Sequence, residues 1–548
     1  MLGLVFAIPA GAGASPTQEA SFQDNRLLLA DPAQLDQTLQ TLKQLGVARL
    51  RISVVWYKIA PDSTSRQKPQ GFDASDPADY PAGNWAPYDT IVTEAAKYGM
   101  GVNFDLMGGA PLWAVGRAPS ASMTSVWYPS ASAFGAFAAA VGTRYSGNYT
   151  PPGASSALPA VTYWSIWNEP NVGSSSLSPQ TVGSVEVAPR LYRSLANAAY
   201  GSLLRTGHPP GPDTILIGEL ASTGHIDPSL ALGMQPLRFL RALYCVGTNY
   251  RPLRGAAAAG RGCPTDAAGS WSFRADNPVL FDATGWSHHP YDLTMAPSLP
   301  PPPAEPDWVT FANLPKLEHA FDRIQLVYGS HKKFSIYLTE YGFETNPPKA
   351  TFAISPALQA LYLNEGEYMA WRDPRVQALS QYLLQDAQPI NGSAVSSFAT
   401  GLIFLNGTKK PSFGAYRLPL WIPTVRAHRG DSLEVWGCLR PAKLYPHQKV
   451  GPVDIQLDGR TVRSVAVTNP RGYFDVPVTF THGGSVRLAW RYPGGETIFS
   501  REVAITETAG GTDLGALIAG LVGAALILAT LAAFMLLRHR RRPSAATL

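Results

Sequence analysis

Two apolar stretches that each stop on a glutamate constrain the fold of this chain most. Residues 162–171 read T-Y-W-S-I-W-N-E-P-N, whose β-branched and aromatic residues favour a buried strand that Pro170 ends directly after Glu169. Residues 334–340, F-S-I-Y-L-T-E, form a second such strand, which ends on Glu340. Taken alone, Glu169 also fits an exposed loop entry. Two distant strands ending on glutamate predict instead one shared site, because all strands of a parallel barrel end at one mouth.

The pattern around these stretches alternates short apolar strands with helical segments, which is typical of a parallel α/β arrangement. Helical periodicity covers residues 33–45, 188–204 and 356–371. Eight candidate strands lie at residues 22–29, 47–55, 100–106, 162–171, 214–220, 281–286, 334–340 and 398–404. This count predicts a (β/α)8 TIM barrel over residues 15–417. A doubly wound open sheet is the alternative, but no glycine fingerprint for a nucleotide follows the early strands.

Beyond residue 416 the pattern changes to short strands separated by turn residues, which predicts an immunoglobulin-like β-sandwich over residues 420–505. Its candidate strands are residues 433–436, 453–457, 462–467, 473–480, 486–491 and 497–505. Such a domain binds glycan or acts as a spacer. The lack of clustered exposed aromatic residues in the pattern favours a spacer.

Both ends of the chain carry targeting signals. Residues 1–14 are apolar and close on small residues, which predicts a signal segment, although the usual basic start is missing. Residues 514–537 are uncharged and long enough to span a bilayer as a helix, after a polar linker at residues 506–513. A buried core helix is the alternative. Arginines open the tail at residues 538–548, so the positive-inside rule predicts a cytoplasmic tail and an extracellular catalytic domain.

Charge and cysteine content narrow the function further. Arginines of the tail account for most of the formal net charge of +5, so the rest of the chain is near neutral and shows no basic face for nucleic acid. Of the three cysteines, Cys245 and Cys263 are close enough in sequence to form a disulfide outside the cell, which leaves Cys438 unpaired.

Five short motifs occur along the candidate strands. They are Arg51 five residues before Trp56, Asn168-Glu169, His289-Pro290-Tyr291, Glu340, and Lys410-Pro411-Ser412-Phe413 ahead of the last barrel helix. In this order they resemble the clan A glycoside hydrolases, in particular the cellulase-like family 5 and the xylosidase-like family 39, over about residues 20–417. One departure is that residues 401–405 lack the tryptophan that family 5 carries after its eighth strand.

The resemblance implies a retaining glycosidase in which Glu169 is the acid/base and Glu340 is the nucleophile. Arg51 and Tyr291 are expected to hydrogen-bond the Glu340 carboxylate and keep it ionised and oriented. Asn168 is expected to bind the 2-hydroxyl of the sugar. This chemistry requires neither a metal nor a cofactor.

The remaining candidate residues have weaker signals. His289 is assigned to substrate binding by its motif. Trp113 and Trp286 are candidates for stacking on sugar rings, with ordinary core packing as the alternative for each. His288, His289 and Asp292 suggest a metal site, but adjacent histidines on an extended segment point in opposite directions, so we predict no metal and a structural His288.

The sequence therefore predicts a single-pass cell-membrane protein whose extracellular barrel hydrolyses a β-linked oligo- or polysaccharide, with the lipid bilayer as its second partner. A non-catalytic glycan-binding barrel, a structural surface protein and a transglycosylase are the alternatives. The sugar, its linkage and the choice between endo and exo cleavage stay open, because they depend on the loops after each strand.

Overall fold

The computed structural model of the chain describes residues 15–389, 398–440 and 450–508. The predicted signal segment, membrane helix and basic tail lie outside these residues. Within the described ranges, no helix is both long and apolar enough to cross a bilayer. The predicted linker does not begin at residue 506, because residues 506–508 belong to the last strand of the second domain.

The first domain is a closed barrel of eight parallel strands, as predicted. In chain order the strands of this domain are β1 (Glu19–Gln23), β2 (Arg49–Val55), β3 (Gly101–Met107), β4 (Tyr163–Ile166), β5 (Thr181–Val182), β6 (Val185–Glu186), β7 (Thr214–Ala221), β8 (Gly285–His289), β9 (Ser335–Tyr341) and β10 (Val376–Tyr382). β5 and β6 form a small separate hairpin. The other eight strands close the barrel through the pairings of β1 with β10 and with β2.

Helices surround the barrel and fill its loops. They are α1 (Asn25–Leu28), α2 (Pro32–Gln44), α3 (Trp56–Ile59), α4 (Ala82–Lys97), α5 (Ala131–Arg144), α6 (Gly173–Ser176), α7 (Ala188–Arg205), α8 (Pro236–Leu243), α9 (Gly255–Gly260), α10 (Ala267–Asp276), α11 (Val279–Asp282), α12 (Leu314–Val327), α13 (Pro356–Arg372) and α14 (Pro411–Arg417). Short 3-10 turns lie at Pro77–Asp79, Leu112–Ala114, Ala121–Met123 and Phe311–Asn313.

The three helices predicted from periodicity are confirmed as α2, α7 and α13. Local chemistry explains where two of them begin: the Asp31 side chain accepts from the first backbone amides of α2, and Ser355 does the same for α13. Proline occupies the first helical position after each cap, where its missing N–H costs nothing.

The predicted eighth strand at residues 398–404 is wrong. That segment makes only single bridges, through Ile403, while the true eighth strand is β10. β10 pairs with both β9 and β1, so the barrel closes without a further strand. Its sequence V-Q-A-L-S-Q-Y carries glutamines and a serine, which the apolar strand pattern does not reveal. Two other predicted strands are shifted, because residues 27–28 lie in α1 and residues 281–282 in α11.

The second domain is a separate β-rich unit of two sheets that share one apolar core. Its strands are β11 (Leu420–Trp421), β12 (Arg426–His428), β13 (Ser432–Cys438), β14 (Val453–Leu457), β15 (Arg460–Val465), β16 (Tyr473–Thr479), β17 (Gly484–Arg491), β18 (Thr497–Phe499) and β19 (Val503–Thr508). One sheet has the order β11-β13-β16 and the other β12-β19-β17-β14-β15, with β18 on β17. Its likeness to an immunoglobulin sandwich stays a prediction.

The β-rich domain packs against the end of the barrel where the strands begin. Arg471 forms an ion pair of 2.8 Å with Glu19, the first residue of β1. The Tyr492 hydroxyl donates to the Gln44 carbonyl at the end of α2, at 3.0 Å. Arg440 of this domain forms a buried ion pair with Glu367 of α13. The opposite end of the barrel, where the strands finish, is left for the site.

Cys245 and Cys263 form a disulfide, as the sequence suggested, and Cys438 is buried without one. The bridge joins the segment after α8 to the loop after α9. The side chain of Arg193 on α7 is buried beside it and donates to the carbonyls of Leu243 and Gly262 on either side. The disulfide and Arg193 therefore hold the segments after α8 and α9 against α7.

Candidate active site

A cavity of about 860 Å³ opens at the carboxyl ends of the barrel strands. Its walls include Asn168 and Glu169 directly after β4, Tyr291 after β8 and Glu340 in β9. This is the end at which barrel enzymes carry their sites, because loops of independent sequence meet there. The structure therefore brings four of the sequence-predicted site residues to one cavity.

Glu169 and Glu340 approach each other across this cavity. One carboxylate oxygen of each lies within 4.8 Å of the other, although the two strands are far apart in sequence. Glu169 has a left-handed backbone with φ of 46°, and its amide donates to the Glu219 carbonyl at 2.9 Å. A non-glycine residue with this backbone conformation costs folding free energy. Such residues concentrate at functional sites.

Arg51 lies inside the barrel and contacts three carboxylates, those of Glu340, Glu219 and Asp105. It lies on β2 between Leu50 and Ile52, both of which belong to the barrel core. Its fully buried guanidinium contacts Gln23 Oε1 at 2.5 Å, Glu340 Oε1 at 2.7 Å, Asn168 Oδ1 at 2.9 Å, Glu219 Oε2 at 3.0 Å and Asp105 Oδ2 at 3.2 Å. Burial opposes its charge, but the surrounding carboxylates outweigh burial and raise the pKa of Arg51. It therefore stays cationic and orients both Glu340 and Asn168.

Tyr291 and His289 complete the surroundings of the acid pair. The Tyr291 hydroxyl donates to Glu340 Oε2 at 3.2 Å, and burial raises the pKa of Tyr291 well above its usual value, so the hydroxyl stays a donor. His289 is fully buried, with Nδ1 2.9 Å from Glu169 Oε1 and Nε2 2.8 Å from Glu219 Oε2. His289 thus lies beneath the acid pair, between carboxylates, and not among the residues that line the cavity.

The charge on His289 follows from these neighbours. Burial disfavours a protonated imidazole, but the nearby carboxylates outweigh burial, with Glu340 first and Glu169 and Glu219 next, and raise the pKa of His289 to about 10. Near neutral pH the ring therefore carries protons on both nitrogens.

Two buried carboxylates, Glu219 and Asp105, belong to the site and were missed in the sequence. Although burial opposes its ionisation, Arg51 and then His289 hold the pKa of Glu219 below its usual range. Burial raises the pKa of Asp105 to about 7; Arg51 opposes that change, while Glu219 and Glu340 reinforce it. Among the described residues, neither Asp105 oxygen has a hydrogen-bond donor of good geometry.

A bulge in β7 explains how Glu219 enters the barrel. The pairing with β8 shifts register between Gly218 and Leu220, and the backbone φ values are 111° at Gly218 and 48° at Glu219. A Cβ on Gly218 would approach the Trp286 ring to 2.5 Å, so only glycine fits there. Bulges re-aim one side chain, and the Gly-Glu pair inside an apolar strand was the available signal.

The stacking roles expected of Trp113 and Trp286 need correction. Trp286 is 0% exposed and packs on Phe321 in the core, because it faces the helices and not the barrel mouth. Trp113 is partly buried, donates to the Pro61 carbonyl at 3.1 Å and packs on Trp56. Neither tryptophan lines the cavity, so core packing is the reading that the structure supports for both.

Other apolar side chains form the rim of the cavity. Phe352 is 78% exposed and Phe398 is 51% exposed, and both line the opening. Phe398 packs edge-on against Tyr382, whose ring lies near that of Tyr291, so aromatic groups extend from the acid pair to the surface. Sugar rings stack on such faces through their C–H groups.

The residues suspected of binding metal are occupied in other ways. The Nε2 atom of His288 lies 2.8 Å from the Val309 carbonyl, and burial lowers the pKa of His288 to about 3. Asp292 accepts from Tyr341 at 2.9 Å. In the described ranges, the ligand atoms of Glu169, His289 and Glu340 converge within 4.8 Å. Both ring nitrogens of His289 already have a carboxylate partner, Glu169 on Nδ1 and Glu219 on Nε2.

Comparisons with known proteins find distant structural similarity only. No family model and no curated protein matches the chain. Similar solved structures include a family 39 glycoside hydrolase from Bacteroides cellulosilyticus WH2, with 15% identity, a TM-score of 0.41 and coverage of 85% of this chain and 79% of that one. A glucosidase from Croceicoccus marinus has 14% identity, a TM-score of 0.45 and coverage of 90% and 93%. An endo-β-1,4-mannanase from Thermotoga petrophila has 11% identity, a TM-score of 0.40 and coverage of 90% and 99%.

Proposed function

We propose that the protein is a retaining glycoside hydrolase that cleaves a β-linked oligo- or polysaccharide. The observation that carries the proposal is the pair of carboxylates, Glu169 and Glu340, with oxygens within 4.8 Å of each other at the wall of an open cavity. Retaining glycosidases hold their two carboxyl groups about 5 to 5.5 Å apart, whereas inverting enzymes need about 6.5 to 9.5 Å to admit a water. The short approach supports double displacement.

In the first step Glu340 attacks the anomeric carbon while Glu169 protonates the leaving oxygen, which gives a glycosyl ester on Glu340. In the second step Glu169 takes a proton from water, which attacks the same carbon and releases Glu340. Arg51 and Tyr291 each donate to one Glu340 oxygen, which orients that carboxylate for attack. Asn168, whose carbonyl oxygen is held by Arg51, offers its amide to the sugar 2-hydroxyl.

The cavity rim supports a substrate longer than one sugar. The exposed rings of Phe352 and Phe398 line the same cavity as the carboxylate pair. Exposed aromatic faces of this kind stabilise further sugar units, because the C–H face of a sugar ring packs on them. We therefore infer a chain substrate that extends from the acid pair to the rim.

We also propose that the barrel works outside the cell, anchored by the apolar segment at residues 514–537. The Cys245–Cys263 disulfide supports an oxidising compartment, because such bridges persist outside the cytosol. The arginines that open residues 538–548 support a cytoplasmic tail. Protease treatment of intact cells, followed by detection of the barrel and of the tail, tests this orientation: loss of the tail epitope instead of the barrel overturns it.

The test of the activity uses the full chain with a panel of aryl β-glycosides and soluble β-glucans, compared with Glu340→Gln. Activity in the wild type that is lost in Glu340→Gln, with the β-anomer released first in NMR spectra, is the expected result. Appearance of the α-anomer first overturns retention. Transfer of the glycosyl group to added sugar in preference to water indicates a transglycosylase. Wild-type protein that binds glycan without cleaving any member of the panel overturns the hydrolase and supports a binding protein.

A further inference from the structure

Glu219 is a buried carboxylate that the mechanism above does not use. Its Oε2 atom receives three donors: Thr339 Oγ1 at 2.6 Å, His289 Nε2 at 2.8 Å and Arg51 Nη2 at 3.0 Å. The side chain has no exposure, so it does not touch substrate. Any contribution to chemistry must therefore pass through these neighbours.

His289 is the neighbour that reaches the reaction. Its Nε2 faces Glu219 and its Nδ1 faces Glu169, at 2.8 and 2.9 Å. An ionised Glu219 can only accept, so Nε2 keeps its proton in every state of the ring. The Nδ1 atom then has two states: it donates to an ionised Glu169, or it accepts from a protonated Glu169. One proton is thereby shared between Nδ1 and Glu169 Oε1.

We propose that Glu219 is a positioning residue that acts through His289 to supply and recover the proton that Glu169 uses in catalysis. This role rests on the proposed hydrolase function. It extends the acid/base pair to a relay of three residues, Glu219, His289 and Glu169, of which only Glu169 reaches the cavity wall.

The relay moves one proton and no other atom. As the bond from the anomeric carbon to the leaving oxygen breaks and the bond to Glu340 forms, Glu169 gives its proton to the leaving oxygen, having received it from Nδ1. His289 becomes neutral with its proton on Nε2. In the second step water bonds to the anomeric carbon, Glu340 leaves, and the water proton passes through Glu169 back to Nδ1. Each turnover ends with the relay in its starting state.

Several charged groups influence the proton affinity of the relay. Those that surround His289 are Glu169 after β4, Glu219 on β7, Glu340 on β9, Arg51 on β2, Asp105 on β3, and Tyr291 and His288 on its own segment. Glu219 contacts the ring directly, so its negative charge favours the protonated relay. Removal of that charge must release the shared proton at lower pH.

The experiment compares Glu219→Gln with Asp105→Asn in the full chain. Both carboxylates lie near the same Arg51 nitrogen, at 3.0 and 3.2 Å, but only Glu219 touches His289. Two β-glycosides of the same sugar are used: a dinitrophenyl glycoside, whose leaving group needs no acid, and an alkyl glycoside, whose leaving group needs one. A loss that acts through Arg51 and Glu340 lowers both rates alike, so the ratio of the two kcat/KM values isolates the acid.

For Glu219→Gln we expect kcat/KM for the alkyl glycoside to fall about 10²-fold further than for the dinitrophenyl glycoside. The basic limb of its pH profile should move down by about one unit. In Asp105→Asn, whose carboxylate does not contact His289, the ratio should change much less than in Glu219→Gln. An unchanged ratio and an unmoved basic limb in folded Glu219→Gln overturn the relay, as does an equal change of the ratio in Asp105→Asn.

Thr339→Val provides a milder variant in case Glu219→Gln fails to fold. It removes the hydroxyl that donates to Glu219 and keeps the carboxylate. A shift of the same ratio by about tenfold supports the relay, since a hydrogen bond to a charged group is worth about 1.5 kcal/mol, and an unchanged ratio overturns it. Wild-type protein that cleaves neither glycoside overturns the hydrolase function and the relay together, whereas active wild type with unaffected variants overturns the relay alone.

Discussion

Two buried arginines in this molecule have opposite surroundings. Arg440, at the junction of the two domains, has one carboxylate partner, Glu367, and donates also to the Tyr416 carbonyl at 2.6 Å. Arg51, below the cavity, has three carboxylates within 3.2 Å. The first is a matched ion pair, and the second is a cluster in which negative charge exceeds the charge of its arginine.

This difference in charge balance distinguishes the structural ion pair of Arg440 from the cluster around Arg51 in the candidate active site. At the junction, Tyr473 also donates to Glu367, at 3.2 Å, so the pair is both neutral and hydrogen-bonded. An excess of buried negative charge, in contrast, destabilises the fold unless groups share protons, as the raised pKa values of Asp105, about 7, and His289, about 10, indicate. Shifted proton affinities of this kind concentrate where proton transfer occurs.

The largest effect is expected from Arg51→Lys. Lysine keeps the charge but cannot donate to Glu340 and Asn168 at once with a planar fork. We expect kcat/KM to fall about 10⁴-fold, equivalent to about 5.5 kcal/mol, with the fold retained. Steady-state kinetics and circular dichroism check this. A loss below tenfold would show that the fork does not orient the nucleophile.

Arg440→Met should act on stability and not on activity. It leaves Glu367 buried without its partner, and we expect the free energy of unfolding to fall by about 4 kcal/mol. The double variant Arg440→Met/Glu367→Leu removes the stranded charge and should recover most of this loss. Chemical unfolding measures both proteins, and kcat per folded molecule should match the wild type in each. Equal losses in the single and double variants would contradict a matched pair.

Asp105→Asn tests the excess of negative charge around Arg51 through the pH dependence of the free energy of unfolding. Because the folded-state pKa of Asp105 is raised to about 7, its favourable contribution to stability is present at low pH and is lost as pH rises through about 7. We expect wild type to lose about 3 kcal/mol more than Asp105→Asn between pH 5 and pH 8. Urea unfolding at both pH values gives the difference. Identical pH slopes would mean that Asp105 titrates normally.

Phe352→Ala should give the smallest effect. Loss of a stacking face at the rim should raise KM for an oligosaccharide about fivefold, equivalent to about 1 kcal/mol, and leave kcat for a small aryl glycoside unchanged. Leu326→Ala is the matched control, because Leu326 is 56% exposed on α12 and does not line the cavity. If both variants behave alike, the rim does not bind sugar.

The sequence predicted the barrel and the acid pair because both depend on local signals. Runs of β-branched and aromatic residues define β4 and β9, and the geometry of any parallel barrel brings their ends together. The order of the motifs along the chain predicted the other site residues. Glu169, Glu340 and Asn168 line the cavity, and Arg51 contacts Glu340.

The features that the sequence did not reveal are the strand β10, the buried Glu219 and the aromatic rim. The first two depend on closure of the barrel. β10 carries polar residues that the closed barrel buries, such as Ser380 and Gln381, so an apolar pattern misses it. Glu219 enters the site through a bulge that forms only when β7 and β8 pair. The rim residues Phe352 and Phe398 lie in loops, whose positions follow no periodicity.

The packing of the second domain gives the molecule a front and a back. Arg501 contacts Asn364 of the barrel at 3.0 Å, and β19 runs on from there to Thr508, about 20 Å of extended chain at the usual rise per residue. Thr508 therefore belongs to the domain that packs on the end of the barrel opposite the cavity mouth. If the protein is held at a surface through the β-rich domain, the cavity mouth points away from that surface, and a substrate can enter without first passing the support.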